Sequence, residues 1–146
     1  MIRNDSEYQE ALRRKAQDQE VAAGQRTAFV NAGFTPEEVE RGLQPVLSFL
    51  AQLDEEIDWY QNVRKRNFPV IRRLTQIGQL LIAVRIARGL SQRQLAETLG
   101  VSEAVVSRDE RNEYHGITLE RAQRIFDALE ESVTTRVEER ALAGVT

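Results

Sequence analysis

The stretch Gly89-Leu90-Ser91-Gln92-Arg93-Gln94-Leu95-Ala96-Glu97-Thr98-Leu99-Gly100-Val101-Ser102 decides the fold. It holds two helix stops and two helix starts. Gly89-Leu90 ends a preceding helix, because glycine takes the left-handed conformation past a helix C-terminus without a Cβ penalty. Ser91 caps a helix over 92–99, its hydroxyl being able to accept from a first-turn amide. Leu95, Ala96 and Leu99 share one face of that helix. Gly100 is the next stop. Ser102 is the next cap, for a helix over 103–111 with Val106 pointing inward.

Two short helices joined by a glycine-containing turn, with a small Ala96 where they cross, make a helix-turn-helix unit. On its N-terminal side, Ile77, Leu80, Leu81, Val84 and Ile86 give residues 76–88 an amphipathic helical pattern, with Arg85 and Arg88 outside the apolar set. On its C-terminal side a loop over 112–117 leads to Thr118, which caps a further helix. Leu119, Ala122, Ile125, Phe126 and Leu129 lie on one side of that helix. The unit therefore sits in a domain over 70–130, followed by a helical tail over 131–146.

Upstream the chain also reads as helix. Residues 5–30 form one, which Asn4, Asp5 or Ser6 can cap and Asn31-Ala32-Gly33 stops. Thr35-Pro36-Glu37-Glu38 restarts the chain, with Thr35 as cap, Pro36 at the first helical position and Glu38 completing a capping box. Pro45 breaks or kinks that helix, or begins a new one. Leu43, Val46, Leu50, Leu53, Ile57 and Tyr60 follow at spacings of 3, 4, 3, 4 and 3. This a/d seam requires a partner helix. Two partners fit it: the 5–30 helix of the same chain, or the same helix of a second subunit. Trp59 packs at the end of this helix. Asn67-Phe68-Pro69 biases the chain away from helix and marks a boundary near residues 66–72. The fold class is all-α: a helical hairpin or coiled-coil extension over 1–66, used for dimerisation or partner binding, then the compact domain.

Charge follows the same division. The net charge of −3 averages residues 1–62, with 6 basic and 12 acidic side chains, residues 63–130, with 12 basic and 8 acidic, and residues 131–146, with 2 basic and 3 acidic. Residues 63–93 contain Arg64, Lys65, Arg66, Arg72, Arg73, Arg85, Arg88 and Arg93 and no acid. The planar fork of arginine suits phosphate. A solvated basic face, or pairing with the acidic half, would produce the same run. With no cysteine there is no disulfide framework or thiolate metal site, and one histidine does not build a His-based zinc site. The longest apolar run, 80–84, is far short of the roughly 18 residues of a membrane span. The first 15 residues carry Asp5, Glu7 and Glu10 and lack the apolar core of a secretory leader.

The order Gly-Leu-Ser-Gln, Leu-Ala, Leu-Gly-Val-Ser and Val-Ser-Arg-x-Glu resembles the Cro/phage-repressor (XRE-like) helix-turn-helix family over residues 76–130. The later run Glu103…Arg108-x-Glu110…Tyr114-x-Gly116-x-Thr118-Leu119 resembles a subgroup with a helical N-terminal extension, some of whose members are antitoxin-like. The resemblance implies that the helix after Ser102 lies in the major groove, with Glu103, Ala104, Ser107 and Arg108 at base edges. Arg108 would then donate to guanine O6 and N7, Glu103 accept from cytosine N4, and Ala104 touch a thymine methyl. Ser91 and Gln92 match positions that hold backbone phosphate in that family; on general grounds of charge and position Arg93, Ser102 and Arg111 are further phosphate candidates. Arg85 and Glu110 match a buried structural ion pair of that family.

Two residues depart from the family pattern. Asp109 stands where an apolar or aromatic side chain is usual and needs a partner such as Arg85, Arg111 or Arg124. Glu113 stands in the loop where basic residues are usual, and would weaken phosphate contact. Tyr114 is expected to pack and His115 to be solvated. Ser91, Ser102 and Thr118 are explained as caps, so nothing composes a catalytic triad, and no enzyme activity or cofactor is implied. The expectation is a dimeric repressor on a pseudo-palindromic operator in double-stranded DNA, cytoplasmic, of bacterial or phage kind and nucleoid-associated when bound. The rival expectation is an antitoxin that grips a toxin protein through the helical extension and autoregulates its operon.

Overall fold

A computed structural model describes residues 1–140. Among these there are six α-helices and no strand: α1 Asp5–Asn31, α2 Pro36–Arg64, α3 Ile77–Ala87, α4 Gln92–Leu99, α5 Glu103–Arg111 and α6 Leu119–Ala128. A 3₁₀ turn, Leu74–Gln76, leads into α3. None of these helices is long and apolar enough to cross a membrane.

The caps form where local chemistry puts them. Asn4 accepts from the Glu7 amide at 2.8 Å and starts α1. Thr35 accepts from the Glu38 amide at 3.3 Å and starts α2. The reciprocal half of that capping box differs: the Glu38 carboxylate accepts from the Thr35 hydroxyl at 3.2 Å. Pro45 neither breaks nor divides the helix, since α2 runs unbroken from Pro36 to Arg64. Proline cannot donate to the carbonyl of Arg41, but both residues face solvent, so water can satisfy the orphan acceptor.

The α1–α2 pair is an antiparallel hairpin. Tyr8 stacks on Tyr60 with ring centroids 5.1 Å apart, Lys15 pairs with Asp54 at 2.5 Å, and Arg26 pairs with Glu40. Numbers rise on one helix as they fall on the other. Leu43, Leu50, Ile57 and Tyr60 are buried, with Val46 and Leu53 half-buried. The seam is thus filled from within the chain, where Ala11 and Ala22 let the helices approach. Trp59 packs against the core at the end of α2.

One core runs through both halves. Ile2, Ala11, Ile57, Tyr60 and Val63 from the extension cluster with Leu81, Ile82, Leu95, Val106, Phe126 and Leu129. Residues 67–73 lack regular structure, yet the apolar interior continues past them, with α2 packed on α3. This changes the reading of α3. Leu81, Ile82, Ala83, Val84, Arg85 and Ile86 are all buried, so the helix is central rather than amphipathic. Its second face is covered by α2.

Two further expectations change. Leu119 is exposed, while Ala122, Ile125, Phe126 and Leu129 are buried. At the first position of α6 it lies at the edge of the apolar stripe and beyond the end of the core. The expected tail helix is absent over 131–140, which has no regular secondary structure and is almost wholly exposed; 141–146 lies outside the described residues. Val133 and Val137 find no apolar surface to cover and so nothing selects a helix.

Candidate nucleic-acid interface

The two helices of the unit meet through a tight turn. Ser91 accepts from the Gln94 amide at 3.1 Å, and Gln94 returns a bond to the Ser91 amide at 2.8 Å. Gly100 closes α4 at φ 70°, a conformation only glycine takes freely. Leu95 and Ala96 are buried on α4, and Val106 on α5. This fixes the inner side of α5 and leaves its other side to solvent. There Glu103, Ala104 and Arg108 are exposed and Ser107 half-exposed, with Arg111 continuing the same face. Among the described residues no carboxylate pairs with Arg108 or Arg111. Ser102 occupies the N-cap position, but its hydroxyl makes no cap bond, unlike the expected cap. The Val105 amide donates to the Ser102 carbonyl at 3.0 Å, which leaves the hydroxyl uncommitted to the helix.

The inner end of α5 is held by a buried ion pair. Arg85 Nε donates to Glu110 Oε1 at 2.5 Å and Nη2 to Oε2 at 2.8 Å, with side chains 3% and 0% exposed. Nη1 donates to the Leu90 carbonyl at 2.7 Å, and Gln92 Nε2 donates to Glu110 Oε2 at 2.7 Å. Every charged atom has a partner, which a buried pair requires. The Gln92 amide is therefore committed inward, leaving Ser91 and Arg93 exposed at the start of α4. Arg93 makes a loose contact with Glu97 at 3.4 Å, both largely in solvent.

Asp109 finds a partner other than those expected. Arg121, from α6, pairs with it, and the carboxylate is 16% exposed. A helix-to-helix pair of this kind has no sequence periodicity to announce it. Sequence reasoning also missed Gly78. A Cβ there would stand 1.9 Å from the Glu113 carbonyl oxygen, so the loop after α5 rests directly on the backbone of α3. A glycine inside an otherwise apolar helix was the available signal. In that loop Glu113 and Tyr114 have φ of 51° and 52°. Glu113 accepts from Gln79 Nε2 at 3.2 Å. Tyr114 is buried, and burial together with the Glu110 charge pushes its phenol well above the ordinary value. His115 is exposed.

Residues 81–135 match a family model described as helix-turn-helix. The C-terminal part is a helix-turn-helix domain. No curated protein and no solved structure matches the chain. The match covers α4, α5 and α6 and most of α3, and it leaves the hairpin outside. It supports a DNA-binding regulator, and the matched family is non-enzymatic. Much of the basic run is already spent within the fold around this domain. Arg64 lies 3.7 Å from Asp5, Arg66 pairs with Glu131 at 2.8 Å, and Arg88 pairs with Glu130 at 2.8 Å.

Proposed function

We propose that the protein is a sequence-specific transcriptional repressor that reads double-stranded DNA through α5. The observation that carries this reading is the outer face of α5. Ala104 and Arg108 are exposed there and Ser107 half-exposed, and Arg108 has no carboxylate partner among the described residues. Arg108 is assigned to guanine, Ala104 to a thymine methyl, and Glu103 to cytosine N4. Ser91, Arg93, Ser102 and Arg111 are assigned to phosphate. Gln92 acts by orienting Glu110 and the helix that carries it, through the bond described above.

The regulator acts as a homodimer on a pseudo-palindrome with recognition helices about 34 Å apart. The seam Leu43, Val46, Leu50, Leu53, Ile57 and Tyr60 is occupied by α1 of the same chain, so the second subunit docks elsewhere. Val133 and Val137 remain exposed for it.

Selecting bound sequences from random duplex DNA tests binding and finds the operator together. Arg108→Ala should then weaken the selected operator by about 1–3 kcal/mol and relax preference at one base pair. Unchanged affinity and preference in that variant would remove the base-reading role.

A second reading rests on the hairpin tip. Phe34 and Val30 are 48% and 58% exposed there, beside a shallow pocket lined by Phe29, Glu38, Arg41 and Gly42. An apolar, acid-flanked tip suits an antitoxin holding a basic toxin. Co-expression with the product of an adjacent basic reading frame, followed by Phe34→Asp, tests it: loss of a stable complex supports the antitoxin reading, and absence of any complex removes it.

A further inference from the structure

We propose that Arg72 and Arg73, at the entry to α3, bind the phosphate backbone of the same duplex that α5 reads. This rests on the DNA-binding reading above. Of the eight basic side chains in residues 63–93, Lys65, Arg72 and Arg73 have no carboxylate partner among the described residues. Lys65 ends α2. Arg72 and Arg73 sit at a different place, defined by two sets of contacts.

The first set joins the loop after α5 to the start of α3. The outer face of α5 ends at Arg111, and the chain turns through residues 112–117. That loop lies against Gly78 so closely that a Cβ would meet the Glu113 carbonyl at 1.9 Å, and Gln79 Nε2 holds the Glu113 carboxylate at 3.2 Å. The second set joins the start of α3 to the two arginines. Gln76 Oε1 accepts from the Arg72 amide at 3.2 Å and from the Arg73 amide at 3.3 Å. Their backbone is therefore pinned to Gln76, two residues before Gly78, and both residues are exposed.

The loop that follows α5 and the segment that carries Arg72 and Arg73 thus both rest on the first turns of α3, and Arg108, Arg111, Arg72 and Arg73 are all exposed. None is neutralised within the described residues. Glu113, in the loop, would repel phosphate, and two unpaired arginines at the entry to α3 would offset its charge. Their planar forks match phosphate geometry, and a pinned backbone reduces the entropy lost when they engage it. An acidic protein surface, such as the hairpin of a second copy, is the competing occupant.

The test uses the full chain and the selected operator duplex, titrated at several salt concentrations. Arg72→Ala/Arg73→Ala should lower the slope of log affinity against log salt by about 2, with equal weakening on the operator and on mismatched duplexes. Arg72→Lys/Arg73→Lys should keep most of the slope, because the charge is retained. An unchanged slope in the alanine pair overturns the proposal. So does an unchanged slope accompanied by a change in oligomeric state by light scattering, which assigns the two cations to a protein interface. If the unaltered protein binds no duplex even at low salt, the DNA-binding reading itself falls and this proposal with it.

Discussion

Arg85 Nη2 donates to the backbone carbonyl of Arg3 at 3.0 Å, across 82 positions of sequence. The same guanidinium holds Glu110 near the end of the proposed recognition helix. The N-terminal segment therefore closes the polar cluster that orients α5. Ile2, 4% exposed, is inserted in the core beside it.

Because the interior is continuous, the hairpin and the helix-turn-helix domain should unfold together. Ile2→Ala is expected to destabilise both by about 2–5 kcal/mol, the usual range for such a truncation in a core. Trp59 fluorescence reports the hairpin and amide exchange on α5 reports the other half. Coincident denaturant midpoints are expected; two separated transitions would refute a shared core.

Removing one member of the buried pair should be severe. Glu110→Ala leaves Arg85 and the Gln92 amide without their carboxylate and should cost about 3–5 kcal/mol. The exposed pair of Arg93 and Glu97 supplies the control, since Arg93→Ala should cost below about 1 kcal/mol. Urea unfolding measures both. A similar cost for the two variants would show that burial is not what gives Glu110 its weight.

Two glycines in helices should respond with opposite sign. Gly24 has open space around its Cβ position, so Gly24→Ala should stabilise by about 0.5–1 kcal/mol through helix propensity. Gly78→Ala drives a methyl into the Glu113 backbone and must displace the loop. It should lower the thermal midpoint and also weaken operator binding. A neutral Gly78→Ala would show that the loop moves freely.

The alkaline limb of stability should carry a tyrosine signature. Burial raises the phenols of Tyr114 and Tyr60 above their ordinary value near 10. An acid whose folded value is raised is held protonated by the fold. Once pH passes the unfolded value, the unfolded chain binds fewer protons and is favoured. Stability should therefore be flat in this respect below about pH 9 and fall above about pH 10. Tyr114→Phe should reduce that fall while leaving neutral stability nearly unchanged. Parallel pH profiles for the variant and the original would contradict the assignment.

Several of these relationships lie beyond sequence reading for one physical reason. Caps, stops and turns depend on groups within four residues of each other, so Thr35, Ser91, Gly100 and Thr118 could be placed from order alone. The outer face of α5 was legible for the same reason, since an inward Val106 fixes which residues point away. The seam on α2 was legible as apolar spacing, but spacing does not name a partner. The hairpin contacts showed that α1 of the same chain packs against it. Spacing also could not show that α3 is covered on two faces, that Asp109 meets Arg121, or that Gln92 turns inward. Nor could it show that Pro45 is tolerated, which depends on both Pro45 and Arg41 facing water. The sequence by itself determined the helices, their ends and the helix-turn-helix unit, because these are set by short-range hydrogen bonding and periodicity. Only the tertiary structure decided which polar groups are spent inside the fold and which arginines stay free for a ligand. That depends on contacts between residues as far apart as Arg3 and Arg85.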